Sequence, residues 1–428
     1  MKTLKTKLEK KGVYFSTKLP SHPQISKILN IQKTTSKGIM DLSKSFQSSS
    51  PRKKEKINRK LLSSWKEQSK HAQYNNKVSP LVICDRKLQQ YPEVNTWLKN
   101  YPVYFVSAGE KLKNIDFFPT HINKILKIST HKKLSGFISL GGGSVGDFTG
   151  FIASVYKRGV PLIHIPSTWL SAMDSAHGGK TALNTKEIKN IIGSYCFPKA
   201  VFIVKKLLYQ TGREKGLTKA STHFEKKKKQ IEKAKGTLPF LSEKEKKSAE
   251  GELVKIALIV GGTFYKEVLK KYLIKKSFSH LDLWLLLPQA ILSKLKIVEE
   301  DPYEKKGLRL LLNLGHTLGH ALESYFKIPH GQAVLYGITF ATHWSHRRFT
   351  LSPLFLKEMS FFIEKQKKLA FYFRKIPLPT LAELLLQDKK RVNKDRVNFI
   401  FLKGSGRVFV EEISVQKIIK EVQRQSFL

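Results

Sequence analysis

Short apolar runs alternate with helix-period segments through the first half of the chain. From Ser79 onward these runs are rich in β-branched and aromatic residues, as in PLVICD, YPVYFVSAG, GFISLGGG, VPLIHIPST and AVFIV. Helical segments lie between some of them, which is typical of a largely parallel sheet with crossover helices. The pattern predicts an α/β, Rossmann-like nucleotide-binding domain over residues 77–207.

Helical patterns dominate after about Leu207. They include GELVKIALIV, LDLWLLLPQAILSKLKIV, RLLLNLGHTLGHALESYF and GQAVLYGITFATHWSHRRF, and strand patterns return only in NFIFL and RVFVEEI near the end. We therefore expect a mostly α-helical domain over residues 237–428.

Two segments lack this regular patterning. Residues 1–76 and 208–236 are rich in lysine and polar residues, and their apolar positions show weak periodicity. Without an apolar stripe a segment cannot bury a core of its own, so we expect both to be mobile and exposed.

Composition narrows the class of protein. The chain has 428 residues, of which 41% are hydrophobic, enough for two or three domains. The longest apolar runs, such as Leu283 to Leu287, are too short to cross a bilayer, and the N-terminus does not resemble a secretory signal. Cys84 and Cys196 lie in apolar contexts, so we expect free thiols in a reducing, cytoplasmic compartment.

The charge is strongly basic, with 78 Lys and Arg against 33 Asp and Glu, a net charge of +45. Such an excess indicates nucleic acid, an acidic surface or an anionic substrate, although a lysine bias spread over solvated faces is the simpler explanation. The basic residues do not form an aromatic-interleaved patch. The sequence therefore argues against nucleic-acid binding as the main function.

A glycine-rich turn links one strand to the next helix. In GFISLGGGSVGD, three glycines follow an apolar run and precede a helical pattern. Free backbone amides at a helix N-terminus accept phosphate oxygens, and Asp147 could bond a ribose hydroxyl or the nicotinamide side of a cofactor. The spacing is not G-x-G-x-x-G, so an ordinary turn remains an alternative.

Three histidines form a second candidate site. His316 and His320 lie four apart and share a helix face, and His330 opens the next helical pattern. Neutral imidazoles gathered in this way are typical ligands of Zn²⁺, but Thr317 stands where a zinc protease would need glutamate. Histidines that merely hydrogen-bond within the fold remain the alternative.

Several motifs occur in the order found in the 3-dehydroquinate synthase family of sugar-phosphate cyclases. They are GGGSVGD, IPSTWLSAMDSAHGGKTALN, IKNIIGSYCFPKAVFI, GELVK, KLKIVEEDPYEKKGLRLLLNLGHTLGHALE and HGQAV, and the resemblance spans roughly residues 79–410. It implies a homodimer that uses NAD and one divalent metal, zinc or cobalt, in the shikimate pathway. The implied reaction converts 3-deoxy-arabino-heptulosonate 7-phosphate, a small anionic sugar phosphate, to 3-dehydroquinate and phosphate.

The resemblance also implies roles for individual residues. The metal ligands would be Glu252, His316 and His330, with His320 beside them to handle a proton. The substrate's anionic groups would meet cations at Arg158, Lys180, Lys255, Lys294 and Arg309. Asn190 and Asn313 would bind its oxygens, and Asp174 would orient the substrate or a lysine. The implied NAD-binding residues are Asp85, Glu110, Lys113, Gly142, Gly143, Ser144, Val145, Asp147, Ser167, Thr168 and Lys189.

Glu250 competes with Glu252 as a metal ligand. Two residues apart on a helix, the side chains of Glu250 and Glu252 point about 200° apart, so they cannot both face one ion. Lys255 lies three residues after Glu252, which reproduces the family's Glu-x-x-Lys pairing.

The chain also departs from the family pattern. GELVK replaces AEVIK, DSAHGGK replaces DSSVGGK, one residue is inserted between Asp301 and Arg309, and the link over Lys205 to Lys247 is longer than usual. A cyclase for another sugar phosphate, a metal-dependent polyol dehydrogenase, a nucleic-acid-binding protein and an inactive relative stay open as alternatives.

Overall fold

A computed structural model of the protein describes residues 2–29, 78–130, 133–186, 188–210, 240–275, 277–363, 366–387 and 395–427. We expected residues 1–76 and 208–236 to be mobile; of these, residues 30–76 and 211–236 lie outside the described ranges.

The elements follow the order that the hydrophobic pattern predicts. The strands are β1 Val13–Ser16, β2 Ser79–Asp85, β3 Val103–Val106, β4 Leu134–Gly141, β5 Leu162–Pro166, β6 Lys180–Leu183, β7 Ile192–Tyr195, β8 Ala200–Val204, β9 Arg396–Gly404 and β10 Arg407–Ser414. The helices are α1 Lys2–Glu9, α2 His22–Ile28, α3 Pro92–Leu98, α4 Phe118–Thr130, α5 Gly143–Val155, α6 Trp169–Met173, α7 Lys205–Gln210, α8 Phe240–Val260, α9 Gly262–Lys275, α10 His280–Glu300, α11 His316–Phe326, α12 His330–Phe349, α13 Pro353–Ile363, α14 Gln366–Lys375, α15 Leu378–Gln387 and α16 Val415–Gln425.

Within the described ranges, six parallel strands form one sheet in the order β1-β8-β5-β4-β2-β3. Every residue of β2, β5 and β8 is buried, as expected for a parallel sheet covered on both faces. Val82 and Ile138 pack into the core on one face, and Leu81 and Phe137 into the core on the other. This confirms the α/β domain predicted from the alternating runs.

The first strand of this sheet comes from the N-terminal extension. β1 pairs in parallel with β8, and both Leu8 and Ile25 are fully buried. The indole Nε1 of Trp97 donates to the Pro20 carbonyl over 2.6 Å. The expectation of mobile, exposed structure is therefore wrong for residues 2–29. A few apolar residues suffice here because the segment adds to an existing sheet and does not need a core of its own.

The second half is helical, with the β9–β10 hairpin as its strand pair, and its core includes residues of β8 and α6. Its central helices cross in backbone contact. A Cβ on Gly251 of α8 would lie 2.1 Å from the Gly331 carbonyl oxygen of α12, and one on Gly337 would lie 1.8 Å from the Gly315 carbonyl oxygen just before α11. These glycines let α8, α11 and α12 converge on one point.

The fold class is therefore the predicted one, a parallel α/β domain followed by a mostly helical domain. Among the described helices, none combines the length and apolar character needed to cross a membrane.

Candidate active site

The three predicted metal ligands lie together where α8, α11 and α12 converge. One ligand atom each from Glu252, His316 and His330 lies within 4.8 Å of the other two. The Nε2 atoms of His316 and His330 are 3.4 and 3.2 Å from the same oxygen, Oε1 of Glu252. Glu252 is fully buried on α8, whereas the two histidines begin α11 and α12.

Hydrogen bonds at Nδ1 orient both imidazoles. Nδ1 of His316 lies 3.2 Å from the Leu314 carbonyl oxygen, and Nδ1 of His330 lies 2.8 Å from Oε2 of Glu323. With Nδ1 donating, each ring directs Nε2 toward Glu252. Such outer partners fix the orientation and raise the basicity of metal-binding histidines.

Glu323 contacts the cluster through His330, and the sequence analysis missed it. It lies seven residues after His316 on α11, two helical turns along the same face. That spacing, together with the need of a ligand histidine for an acceptor at its other nitrogen, is the signal that could have identified it.

The electrostatics of the cluster suit a cation. Burial, reinforced by Lys255, lowers the pKa of His316 to about 3, so the ring is neutral. Since its Nδ1 donates to Leu314, the lone pair of Nε2 faces the Glu252 carboxylate. Burial would raise the pKa of Glu252, but the Lys255 ammonium and the two neighbouring histidines hold it well below its ordinary value. Two acceptors that face each other in this way are stabilised by a bound cation.

The pKa of His330 shifts in the other direction. Burial alone would lower it, but hydrogen bonds to Glu252 and Glu323 outweigh burial and raise the pKa to about 10. His330 thus carries the positive charge that the two carboxylates require here.

His320 lies beside the cluster, as expected. Its ring centroid is 5.1 Å from that of His316 and 6.0 Å from that of His330. It is not part of the Glu–His–His group, which agrees with a role other than metal ligand.

Three of the predicted substrate-binding cations are buried next to this cluster. Lys255, Lys294 and Arg309 are 2%, 5% and 4% exposed, and charged side chains are rarely buried so fully without partners. Lys255 pairs with Glu252, and Lys294 donates to the Asp174 carboxylate over 2.5 Å and to its carbonyl over 2.7 Å.

Arg309 is held by the backbone of both domains. It donates to the Pro302 carbonyl over 2.7 Å and to the Gly178 carbonyl over 2.8 Å. Its Nε is buried and has no hydrogen-bond partner among the described residues. Arg309 and the half-buried Asn313 lie on one 3₁₀ segment, Leu308–Asn313.

The Lys294–Asp174 pair shows how the site manages its positive charge. Burial, followed by the repulsion of Lys255, lowers the pKa of Lys294, although Asp174 partly offsets both. Burial would raise the pKa of Asp174, but Lys294 outweighs it and the pKa falls below the ordinary value. The 2.5 Å contact between Lys294 and Asp174 bridges the two domains.

The remaining two predicted cations are exposed. Lys180 begins β6 and pairs with Glu304 at 2.5 Å, with its side chain 48% exposed. Arg158 lies in the turn after α5 with φ of 63°, and the described residues give it no ion pair or hydrogen bond. The structure does not bring Arg158 to the metal cluster, so its part in anion binding stays a prediction.

The predicted nucleotide-binding residues gather at the carboxyl edge of the parallel sheet. The register pairs Cys84 with Leu140 and Gly141 with Pro166. Asp85 therefore ends one strand at the same edge where Gly142 and Ser167 follow the next two strands. Crevices at this edge are where open α/β sheets bind ligands.

Close packing explains the first glycine of the turn. A Cβ on Gly141 would lie 2.7 Å from Cγ2 of Val145, a fully buried residue in the first turn of α5. Gly142 precedes α5 and provides no side-chain cap, which leaves the first amides of the helix available for phosphate oxygens. Ser144 accepts a hydrogen bond from the amide of Gly109 over 2.9 Å.

The side chains along this edge bind one another. Lys113 is buried and bonds Asp147 at 2.6 Å and also the Asn190 amide oxygen. Glu110 accepts from Asn184 over 2.7 Å. Burial raises the pKa of Asp147, although Lys113 opposes the shift. Asp147, which we placed on the nicotinamide side, thus also anchors Lys113.

The last three predicted residues have simpler settings. Asp85 and Thr168 are helix N-caps, accepting from the amides of Lys87 and Ser171 over 3.2 Å each. Lys189 is exposed. Burial would raise the pKa of Glu323, but His330, then His320 and Lys189, lower it below its ordinary value.

Comparison with known proteins decides the family. The N-terminal domain of 3-dehydroquinate synthase matches residues 103–217, and its C-terminal domain matches residues 249–391. The chain belongs to the 3-dehydroquinate synthase family. A 3-dehydroquinate synthase of Leptospira interrogans is 33% identical over 326 residues, covering 75% of this chain and 80% of that protein. One of Legionella pneumophila strain Paris is 35% identical over 324 residues, 73% of this chain and 77% of that protein.

Solved structures of other cyclases share the fold of this 3-dehydroquinate synthase family member. A 2-deoxy-scyllo-inosose synthase complexed with carbaglucose-6-phosphate, NAD⁺ and Co²⁺ has a TM-score of 0.62 at 22% identity, covering 84% of this chain and 94% of that one. A 2-epi-5-epi-valiolone synthase of Streptomyces hygroscopicus with NAD⁺ and Zn²⁺ has a TM-score of 0.61 at 17% identity, covering 82% and 91%. At these identities the likeness establishes the fold alone.

Proposed function

We propose that the protein is a 3-dehydroquinate synthase, which converts 3-deoxy-arabino-heptulosonate 7-phosphate to 3-dehydroquinate and phosphate. The observation that supports this most is the Glu252–His316–His330 cluster with the buried cations Lys255 and Lys294 beside it. Metal ligands next to buried lysine side chains suit a substrate that is both polyhydroxylated and anionic.

The donor set fits one divalent metal ion. Two imidazoles and a carboxylate leave coordination positions open for substrate oxygens, as in catalytic zinc sites, and cobalt suits the same ligands. Bound there, the metal would act as a Lewis acid on a substrate hydroxyl or ketone oxygen. Glu323 and the Leu314 carbonyl would hold the two ligand rings in place.

The glycine-rich turn fits NAD. Its pyrophosphate would meet the first amides of α5, and Asp85 or Glu110 would bind the adenosine ribose and disfavour a 2′-phosphate. NAD supplies a hydride acceptor that is regenerated within the catalytic cycle, so no NADH accumulates. We assign the remaining contacts to Lys113, Gly142, Gly143, Ser144, Val145, Asp147, Ser167, Thr168 and Lys189.

The substrate's carboxylate and phosphate would be held mainly by buried cations. Arg309 presents a buried Nε without a partner among the described residues, and Lys255 and Lys294 add point charges. Asp174 keeps the Lys294 ammonium in position, and His320 lies close enough to the cluster to transfer a proton. We assign secondary contacts to Arg158, Lys180, Asn190 and Asn313.

Three further assignments accompany this function. We propose a homodimer with a domain boundary near residue 207, located in the cytoplasm. The family resemblance supports the dimer, and the free thiols of Cys84 and Cys196 agree with a reducing compartment. Light scattering on the purified protein measures the oligomeric state, and a monomer would contradict the first assignment.

Phosphate release tests the function directly. Purified protein with zinc, NAD and the heptulosonate phosphate should release phosphate without a net rise in NADH absorbance. No release from folded, metal-loaded protein would contradict the proposal. A steady, stoichiometric rise in NADH would instead assign the protein to the metal-dependent polyol dehydrogenases.

A further inference from the structure

Hydrogen bonds hold the loop between α10 and the Leu308–Asn313 segment in one conformation. This loop contains the one-residue insertion between Asp301 and Arg309. The Asp301 side chain is buried and accepts the amides of Lys306 over 3.0 Å and Arg309 over 3.3 Å. The amide of Glu304 donates to the Asp301 carbonyl over 3.2 Å. Glu304 adopts a left-handed φ of 58° within this frame, so the loop presents its side chain in a defined direction.

An aromatic contact seats this loop against the α/β domain. The ring centroid of Tyr303 lies 5.4 Å from that of Tyr195 and 6.0 Å from that of Phe197, both edge-to-face. The Tyr195 hydroxyl donates to the Tyr303 carbonyl over 3.2 Å. The residue next to Tyr303 is therefore held at the seam between the two domains.

Glu304 uses that position to bind Lys180. Its Oε2 lies 2.5 Å from the Lys180 ammonium, and the carboxylate side chain is 24% exposed. Lys180 follows Gly178 by two residues, and a Cβ at Gly178 would lie 3.8 Å from Nζ of Lys294 and 3.4 Å from Nη2 of Arg309. Lys180 thus extends the buried cation group toward solvent, and Glu304 is its counter-ion.

We propose that Glu304 is an affinity-determining residue that occupies Lys180 with an internal carboxylate until an anionic group of the ligand replaces it. This inference rests on the proposed function, because it assigns Lys180 to the anion site. Glu304 positions the lysine at the mouth of the site and competes with the incoming anion. Exposed ion pairs are weak, so the competition is readily reversed and costs only modest affinity.

The test uses the full, metal-loaded protein and inorganic phosphate as the probe. Glu304→Gln should bind phosphate about two- to fivefold more tightly than the unaltered protein in a calorimetric titration. Glu300→Gln is the matched control, since it removes the same charge from an exposed position at the end of α10. Phosphate affinity should be unchanged in that variant.

A double-mutant cycle separates competition from a structural effect. In a Lys180→Gln background, Glu304→Gln should no longer change phosphate affinity, because the residue on which it acts is gone. With the heptulosonate phosphate, Glu304→Gln should lower KM by the same factor as it lowers the phosphate Kd. Glu304→Asp should restore the unaltered values in part.

Several results would overturn the proposal. They are an unchanged or weaker phosphate affinity in Glu304→Gln, a gain that survives without Lys180, a gain shared by Glu300→Gln, or no phosphate binding by any form. The readout is independent of turnover. A protein that shows the predicted phosphate cycle but releases no phosphate from the sugar would contradict the proposed reaction and retain the role of Glu304.

Discussion

The helical domain and the α/β domain hold their candidate ligand groups in opposite ways. In the helical domain, Glu252 and Lys255 are buried side chains that form an ion pair with each other. In the α/β domain, the edge offers the backbone of Gly142 and Gly143 and exposed side chains such as Lys189. Fixed charges in a low-dielectric site stabilise developing charge, whereas a large cofactor needs close backbone approach. The comparison indicates that chemistry would occur in the helical domain and cofactor binding at the edge of the α/β sheet.

The largest expected effect is at the metal cluster. Glu252→Gln should lower metal affinity by more than the roughly 10- to 100-fold that loss of an outer partner costs, because it removes the one carboxylate of the three ligands. Phosphate release should be abolished, and added zinc should no longer raise Tm. Metal analysis and thermal unfolding measure this.

Glu250→Gln is the matched control for that prediction. Glu250 accepts the amide of Phe278 over 3.1 Å, a bond that a glutamine oxygen can retain. Metal content and phosphate release should stay nearly unchanged. The reverse ranking of the two variants would make Glu250 the metal ligand and contradict the assignment of Glu252 on α8.

The next effect concerns the buried ion pair between the domains. Lys294→Met should lower the free energy of unfolding by about 3 kcal/mol, since it strands the Asp174 carboxylate. Adding Asp174→Asn should recover most of this stability without restoring phosphate release. Urea denaturation of both variants measures the difference. If the double variant is no more stable than the single one, the pair does not hold the domains as described.

Glu323 should have a smaller and more selective effect. Glu323→Ala removes the acceptor of the His330 Nδ1 proton, so zinc affinity should fall about 10- to 100-fold. Glu323→Gln keeps an acceptor oxygen, so its zinc affinity should fall less. Competition with a chromophoric chelator measures both. Equal zinc affinity in the unaltered protein and in both variants would show that Glu323 does not support metal binding.

The smallest effect tests the nucleotide edge through its packing. Gly141→Ala places a Cβ 2.7 Å from Val145 and should destabilise the fold by about 1–2 kcal/mol and weaken NAD binding. Gly146→Ala is the control, because its nearest neighbour, His164, would lie at an ordinary 3.6 Å. Urea denaturation and NAD titration should separate the variants. Similar losses in both would refute the packing explanation.

The two domains also differ in what the sequence could predict. Apolar runs located the central strands, because buried parallel strands must be apolar on both faces. The family resemblance pointed to Glu252, His316 and His330, which the structure brings together. Helix geometry showed that Glu250 and Glu252 cannot both face one ion, and the family's Glu-x-x-Lys pairing favoured Glu252. The structure directs Glu250 to the Phe278 backbone instead.

Other features depend on tertiary contacts that no local pattern encodes. The pairing of β1 with β8 joins residues far apart in sequence, so the N-terminal segment looked unstructured. The partners of Lys113 and Lys180, namely Asp147 and Glu304, likewise come from distant segments. Glu323 lies between these cases. Its spacing of seven residues from His316 is visible in the sequence, but its partner His330 lies on another helix.

The edge strand β1 has a consequence for the handling of this protein. It covers β8, whose five residues are all buried. A shortened chain that begins after Ser16 would leave an apolar strand with open backbone donors and acceptors, which is a template for pairing between molecules. Such a chain would fail first by aggregation, while its metal ligands remained intact in sequence. Solubility therefore depends on a segment that contributes none of the assigned site residues.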